Sequence, residues 1–441
     1  MVKDKKVLGI IAEYNPFHNG HLYHINEAKK ISGADTVVVV MSGNFTQRGE
    51  PSIIDKYERT KMAIDNGVDL VVELPFYYAC NSAQYFAEGG IEILESLGVV
   101  DYIAFGAETG DIDVLKKISN IVLEKNEILQ RYLDKGLSYP AALEESLKEI
   151  VKVSEADFGN DFVDNYVNNS ANSFINNSND ILAIEYLKAL KKMDSSIIPI
   201  TITRKGARHL DSNINAEFAS GSAIRRYIKE FWQEMLDSQN NTLISATSNN
   251  VYKNMIENNK FGVQCELLKN VLPDLALEIL KKNIDKLYLD EKKYYDILRA
   301  KLMTAKECEL KRIYSISEGL ENKFLSELRY SNTLDDYIKS VKSKRYTYTR
   351  INRICSQIIV NLTKDEKPPK YIRILGFNHK GRQLLKNIKG GGLNKLPIYT
   401  DVSQKEKDLM RHDITATDIY NLLSNNDIYE KSDFVVKPVI R

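Results

Sequence analysis

Cysteine is scarce in this chain. The four that occur, Cys80, Cys265, Cys308 and Cys355, are far apart and form no CxxC pair, which excludes a disulfide scaffold and a cysteine-based zinc site and indicates a reducing compartment. No apolar run is long enough to span a bilayer, and Met1-Val-Lys-Asp-Lys-Lys6 carries no signal-peptide core, so the expected location is the cytoplasm, away from any membrane. Net charge is nearly absent too, at +1. That balance hides a division, because between Lys342 and Lys395 fourteen Lys or Arg stand against two acids, Asp365 and Glu366. The stretch carries +12 and leaves −11 for the remainder, an asymmetry that marks a surface for a polyanion. The rest is ordinary for a soluble protein, with 441 residues, 43% hydrophobic and 27% charged, enough for two or three domains.

What is present begins at Val7. Val7 to Ala12 reads as a buried apolar strand that breaks at Asn15-Pro16 and runs into a helix near Gly20, with His18 and His21 on either side of the helix start. Backbone N–H groups at a helix N-terminus attract phosphate. Gly20 would let an anion approach, and both imidazoles can donate to its oxygens. A histidine beside a turn is most often surface, and a pair could ligate zinc, but two ligands do not make a site, so no metal is expected.

The pattern then repeats. Strands are expected at 35–41, 68–74, 102–105 and 197–203, with helices at 22–31, 55–66, 82–97 and 181–190. Continuous apolar strands alternating with helices predict a Rossmann-like, doubly wound parallel α/β sheet whose ligand sits beyond the carboxyl ends of its strands. Those ends hold His18, Gly20 and His21; the polar loop Ser42 to Pro51, with Ser42, Asn44, Gln47 and Arg48 as candidate phosphate or substrate contacts; Gly106; and Arg204 to Arg208. Polar glycine loops also simply connect strands to helices. Further on, Ala219-Ser-Gly-Ser-Ala-Ile-Arg225 starts a helix with Ser222 and Arg225 as candidates, although a solvated Arg225 fits as well. The Asn/Ser-rich run 168–179 cannot build a core and reads as a mobile loop; Asn179 or Asp180 then serves equally as a helix cap.

From Tyr227 to about Tyr337 the pattern is mainly helical, for example over 273–289 and 292–303, with a Ser/Asn-rich junction at 238–259. Next, Lys342-Ser-Lys-Arg-Tyr-Thr-Tyr-Thr-Arg350-Ile-Asn-Arg353 interleaves cations with tyrosines. Lys344, Arg345, Arg350 and Arg353 could neutralise phosphates while Tyr346 and Tyr348 stack on bases; a solvated charged helix is the plainer alternative. A strand at 371–377, with Lys380 and Arg382 beyond it as further candidate RNA contacts, would pair with 398–400, and the tail reads as helical with a short apolar run at 434–436. The expected organisation is a nucleotide-binding catalytic domain at 1–230, a helical region at 231–340 and a basic RNA-binding region at 341–441, the part after the sheet being mainly helical.

These residues resemble a known group. His18-Asn-Gly-His21 is similar to the HxGH signature of the nucleotidyltransferase superfamily, and 219–225 to its second motif, ISSTxIR, from which Ala219 and Gly221 depart while Ser222 stands where Thr is expected. Gly9-Ile-Ile-Ala-Glu-Tyr-Asn-Pro-Phe-His-Asn-Gly-His21, with Ser42-Gly-Asn-Phe-Thr-Gln-Arg-Gly-Glu-Pro51 and the basic segment from Lys344, resembles the bacterial tRNA(Met) cytidine acetate ligase family over essentially the whole chain. That resemblance implies ATP-dependent activation of acetate, without acetyl-CoA, and acetyl transfer to the wobble cytidine in the anticodon loop of elongator tRNA(Met), with Mg2+ carried by the nucleotide. It implies ATP contacts from Leu8, Gly9, Ile10, Ile11, Ala12, Glu13, Tyr14, Asn15, Pro16, Phe17, His18, Asn19, Gly20 and His21, and from Gly106, Asn179 and Arg204, with His18 and His21 catalytic. Asn-Asp-Ile-Leu-Ala from Asn179 departs from the family's Asn-Asn-Ile-Leu-Gly. Two other readings stay open: an adenylyltransferase for a small phosphate-bearing acceptor, which would need no basic C-terminal surface, and a non-catalytic RNA binder on a relic nucleotide fold, which would not need His18, Gly20 and His21 intact.

Overall fold

Four consecutive valines decide the centre of the molecule. In the computed structural model, which describes residues 5–153, 178–204, 218–240, 267–317, 319–343 and 345–441, Val37 to Val40 lie in strand β2 (Thr36–Ser42), every residue of which is buried. β-Branched side chains favour extended backbone, and a strand without polar alternation is stable only when covered on both faces. Val38 and Val40 pack into one apolar cluster, and Val37, Val39 and Met41 into the other. Each fully buried valine contributes roughly 1.5–3 kcal/mol relative to exposure.

Around β2 lie β1 (Val7–Ala12), β3 (Leu70–Leu74), β4 (Tyr102–Ala107) and β5 (Ile198–Thr203), all parallel, in the order β5-β4-β1-β2-β3. One face is covered by α1 (Asn19–Ser32), α2 (Lys56–Asp65), α9 (Gly221–Asn240) and α10 (Asp274–Lys282). On the other face lie α3 (Phe76–Ala79), α4 (Ala83–Ser96), α5 (Ile112–Glu124), α6 (Asn126–Asp134), α7 (Tyr139–Val153) and α8 (Ser178–Lys192). The sheet is therefore doubly wound, as the alternating pattern predicts. Helices α5 to α7 occupy a stretch in which the sequence reading singles out no element. The run 168–179 lies outside the described residues except for Ser178 and Asn179, which begin α8; of the junction 238–259 only 238–240, the end of α9, is described.

The helical region, α11 (Glu291–Thr304), α12 (Glu307–Arg312), α13 (Leu320–Glu327), α14 (Leu334–Val341) and α15 (Tyr348–Val360), shares a core with the sheet: Leu298, Phe324, Ile338 and Ile354 belong to the same apolar cluster as Val38. The helix expected over 273–289 is shorter, because α10 stops at Lys282 and a 3-10 turn, Ile284–Lys286, follows Asn283.

The C-terminal segment adds to the sheet. β6 (Ile372–Phe377) pairs antiparallel with β3, Leu70 opposite Phe377 and Glu73 opposite Arg373, while β7 (Ile398–Tyr399) and β8 (Val439–Ile440) pair in parallel with β6. The sheet is thus mostly parallel with one antiparallel junction, and the tail that the sequence reads as helical also ends in a strand, at 439–440, just beyond the apolar run 434–436. Charges seal the junction. Lys56 reaches Glu73 at 2.7 Å and Asp433 at 3.0 Å, and Arg373 reaches Glu73 at 3.0 Å and Asp433 at 2.8 Å, all four side chains buried. Breaking such a cluster by removing one partner strands an uncompensated charge at a cost of about 3–5 kcal/mol. The +12 stretch is accordingly not all free surface. Arg373 is interior, while Lys370 and Lys395 pair with Glu92 and Glu95 of α4.

Candidate active site

Strand order reverses direction between β1 and β4, and the crevice beyond their carboxyl ends is where an open α/β sheet binds ligands. The chain leaves β1 through Glu13-Tyr-Asn-Pro-Phe17, and α1 then starts on His18, an N-cap with extended backbone. The cap is reciprocal. Gly20 N–H donates to His18 Nδ1 at 3.1 Å, and His18 N–H donates to His21 Nδ1 at 3.2 Å. An acceptor nitrogen carries no proton, so each neutral ring keeps its proton on Nε2, and both rings are donors on the side turned away from the helix. They stack with centroids 3.7 Å apart, a geometry that two imidazolium ions would resist. Burial, and then the Arg204 and Arg225 guanidinium groups, hold His18 down at about 3. Burial, then His18, His24 and Arg204, hold His21 well below the usual range. Tyr14 and Phe17 wall the pair from below, with ring centroids 4.8 Å and 5.6 Å from His21.

Gly20 is also required by the histidine beside it. A Cβ there would lie 2.9 Å from His18 Cε1, so the space is taken by the histidine's own ring. The N-terminus of α9 closes the opposite side: a Cβ on Gly221 would stand 3.7 Å from His18 Nε2 and 3.3 Å from the Asn15 carbonyl. Arg225 donates to that carbonyl at 2.7 Å, so its guanidinium is fixed in the crevice rather than solvated. The Ser222 hydroxyl pairs with that of Ser220 at 3.0 Å. Two helix N-termini, two imidazole donors and Arg225 therefore surround one space, a setting for phosphate.

Beyond β4 and β5 the parts are equally interlocked. The stem of Arg204 covers Gly106, which could bear a Cβ only at 3.5 Å from Arg204 Cγ. The Asn179 amide donates to Glu108 at 2.6 Å, and Arg204 lies 3.9 Å from the same carboxylate. Asp180 is no simple cap. Its buried carboxylate accepts from Glu108 N–H at 2.9 Å and Thr109 N–H at 3.3 Å, pinning the β4 loop to α8. Leu8, Gly9 and Ile10 stand further back as buried strand; only the end of β1, from Ile11 and Ala12, begins to open on the crevice.

The loop after β2 divides. Gln47 N–H donates to the Glu13 carboxylate at 2.7 Å, and Arg48 lies close enough to Arg225 to repel it. Ser42 and Asn44 are turned inward; Asn44 accepts from Lys56 N–H at 2.8 Å and donates to Thr417 on α17 (Arg411–Leu423) at 3.3 Å, which keeps it out of the crevice. The sequence reading missed what holds this loop. Arg59, fully buried in α2, donates to the carbonyls of Glu13 at 2.6 Å, Ser42 and Ile54 at 3.1 Å, and Gly43. No local signal announces it, because Lys56-Tyr-Glu-Arg59 reads as the solvated face of a helix.

The expected RNA contacts separate into two groups, apart from Lys344, which lies outside the described residues. Arg345 sits by Gly136. Tyr346 is core, its hydroxyl 3.2 Å from the Ser317 carbonyl, under the Arg350 guanidinium at 4.6 Å. Tyr348 donates to Asp335 at 3.1 Å, and neither tyrosine is displayed as a free stacking ring. Arg353 turns inward and donates to the Gln47 carbonyl at 3.2 Å; Ser356 adds a bond to the Gly49 carbonyl at 2.8 Å, so α15 grips the β2 loop. Lys380 and Arg382 lie elsewhere. Because β6 runs antiparallel to β3, its carboxyl end and α16 (His379–Gly391) fall at the amino edge of the parallel strands, where Lys380 donates to the Asp35 carbonyl. A strand's length, roughly 20 Å, separates them from the histidines. Among the described residues no three His, Cys, Asp or Glu gather as metal ligands.

The model of the HIGH Nucleotidyl Transferase family matches residues 5–433. A tRNA(Met) cytidine acetate ligase of Thermoanaerobacter sp. (strain X514) is 39% identical, with 99% of each chain covered; one from Clostridium perfringens (strain SM101 / Type A) is 39% identical over 98% of this chain and 99% of its own. Crystal structures of Thermotoga maritima TmcAL superpose with 30% identity over 99% of both chains, at TM-scores of 0.79 for the apo form and 0.77 for the form bound with alpha-thio ATP.

Proposed function

The chain belongs to the HIGH nucleotidyl transferase family and, within it, to the tRNA(Met) cytidine acetate ligases, and from that premise we infer that it condenses acetate with ATP to acetyl-adenylate and passes the acetyl group to the wobble cytidine of elongator tRNA(Met). The reading rests on the reciprocal cap of His18 and His21, which leaves Nε2–H as the donor of each ring and sets that of His18 against the start of α9 beside Arg204 and Arg225. These groups fit a triphosphate, with magnesium arriving on the nucleotide.

A carboxylate is already a nucleophile, so its attack on the α-phosphate needs positioning and stabilisation of charge rather than a base. Neutral imidazoles held by backbone N–H groups supply donors that need no reorganisation as charge builds. The cytidine must be unstacked to reach the adenylate, which an anticodon loop permits most readily. Arg345 and Arg350, at the start of the helix that grips the β2 loop, would hold the RNA backbone. No helix among the described residues is long and apolar enough to cross a membrane, and the place of action that fits a tRNA substrate is the cytoplasm. The test is acetate-dependent exchange of labelled pyrophosphate into ATP. Losing one preorganised donor in His21→Ala should cost at least about 10²-fold, whereas exchange near the wild-type rate would remove His21 from the mechanism.

A further inference from the structure

The first half-reaction needs no base, but the second does. When the exocyclic amine of cytidine adds to the acyl carbon, the nitrogen of the adduct is protonated, and unless it loses that proton the amine is expelled again. The histidines cannot serve, because Nδ1 of each accepts a backbone N–H and Nε2 holds the proton. Glu108 and Asp180 are committed to Asn179, Arg204 and the β4 loop.

Glu13 is placed differently. It is half-buried at the carboxyl end of β1, one carboxylate oxygen fixed by Gln47 N–H at 2.7 Å, and among the described residues no cationic side chain pairs with it. At longer range it faces Arg59 of α2, Cys80, Tyr186 of α8 and Arg225 of α9. The same Gln47 is held through its carbonyl by Arg353, one turn along α15 from Arg350. The carboxylate thus stands where the nucleotide crevice meets the helix that carries the basic segment.

We propose that Glu13 is the base of the acyl-transfer step, a reading that rests on the acetyl-adenylate inferred above. Its free oxygen accepts the cytosine amine, the pairing a carboxylate makes with that base edge. The nitrogen–carbon bond forms, the proton passes to Glu13 and then to solvent, and the carbon–oxygen bond to AMP breaks with its electron pair leaving on the phosphate. Uridine, with a carbonyl at that position, would be repelled.

The experiment measures both half-reactions on the full chain: acetate-dependent pyrophosphate exchange, and single-turnover acetyl transfer to a tRNA(Met) transcript across pH. Glu13→Gln keeps an acceptor for Gln47 N–H but cannot take a proton. Transfer should fall about 10²-fold or more beyond any change in exchange, losing its acidic limb, with partial recovery in Glu13→Asp. Equal losses in the two assays, or transfer by Glu13→Gln at the wild-type rate, would overturn the assignment. If Glu13→Gln does not fold, Glu13→Asp decides: its transfer must fall further than its exchange while the acidic limb persists, and an equal fall refutes the role. Absence of acetate-dependent exchange in the wild type would instead sink the adenylate reading itself.

Discussion

Replacing Arg59 with methionine should show how strongly the site depends on a residue that touches no substrate. Its guanidinium is fully buried and donates to four backbone carbonyls, those of Glu13, Ser42, Gly43 and Ile54, so it ties the ends of β1 and β2 together without a carboxylate partner among the described residues. Bonds from a charged donor contribute roughly 1.5–3 kcal/mol each. Against that gross sum stands the cost of burying the cation, several kcal/mol, a cost visible in the guanidinium being brought down to about 10. The net loss in Arg59→Met is then about 3–5 kcal/mol, with buried carbonyls left unpaired. At roughly 2–4 °C per kcal/mol for large domains, the melting midpoint should drop by about 10 °C in a circular-dichroism scan. The apparent KM for ATP should rise as well, because Glu13 and the β2 loop lose their anchor. Arg59→Lys keeps the charge but not the planar fork and should recover less than half of the loss. A midpoint within about 2 °C of wild type for Arg59→Met would refute the reasoning.

Acid should weaken the fold before it titrates the surface. His18 and His24 are held at about 3 and about 4, both by burial first and Arg204 second. Their depressed values make a contribution that is complete above about pH 6.5 and lost as pH falls towards those values, with up to roughly 1.4 kcal/mol per pH unit for each. Urea midpoints should therefore decline from pH 6.5 to 4.5, less steeply in His18→Asn, and a flat profile would contradict the neutral tautomers. Charge reversal separates the two basic groups: Arg345→Glu with Arg350→Glu should weaken tRNA binding and flatten its salt dependence, whereas Lys380→Glu with Arg382→Glu, at the far edge of the sheet, should leave acetyl transfer at saturating tRNA unchanged. Equal losses in both pairs would mean that the RNA wraps the sheet differently.

The parallel sheet was legible because Val37 to Val40 and Val71-Val72 are continuous apolar strands, and continuous apolar strands have few alternatives. That His18, Gly20, His21, Gly106 and Arg204 would lie together at one crevice was legible because the carboxyl ends of parallel strands open on the same side of the sheet. What escaped was set by long-range contacts. Asn44 looks like Gln47 in the sequence, yet Thr417 and Lys56 turn it inward. Tyr346 interleaves with cations as a stacking residue would, but Ser317 and the α13–α15 core take its ring and hydroxyl. Lys380 and Arg382 belong to the most basic stretch of the chain, and only the antiparallel pairing of β6 with β3 moves them to the opposite edge. The contacts of Arg59 and the cluster of Lys56, Glu73, Arg373 and Asp433 have no local signature, because most of their partners lie tens to hundreds of residues away.

The most direct measurement is incubation of the protein with labelled acetate, ATP and bacterial elongator tRNA(Met), followed by digestion to nucleosides. The account predicts label in N4-acetylcytidine at the wobble position, dependent on ATP and independent of acetyl-CoA. Label that appears only with acetyl-CoA, or no labelled nucleoside while ATP is converted to pyrophosphate, would contradict it.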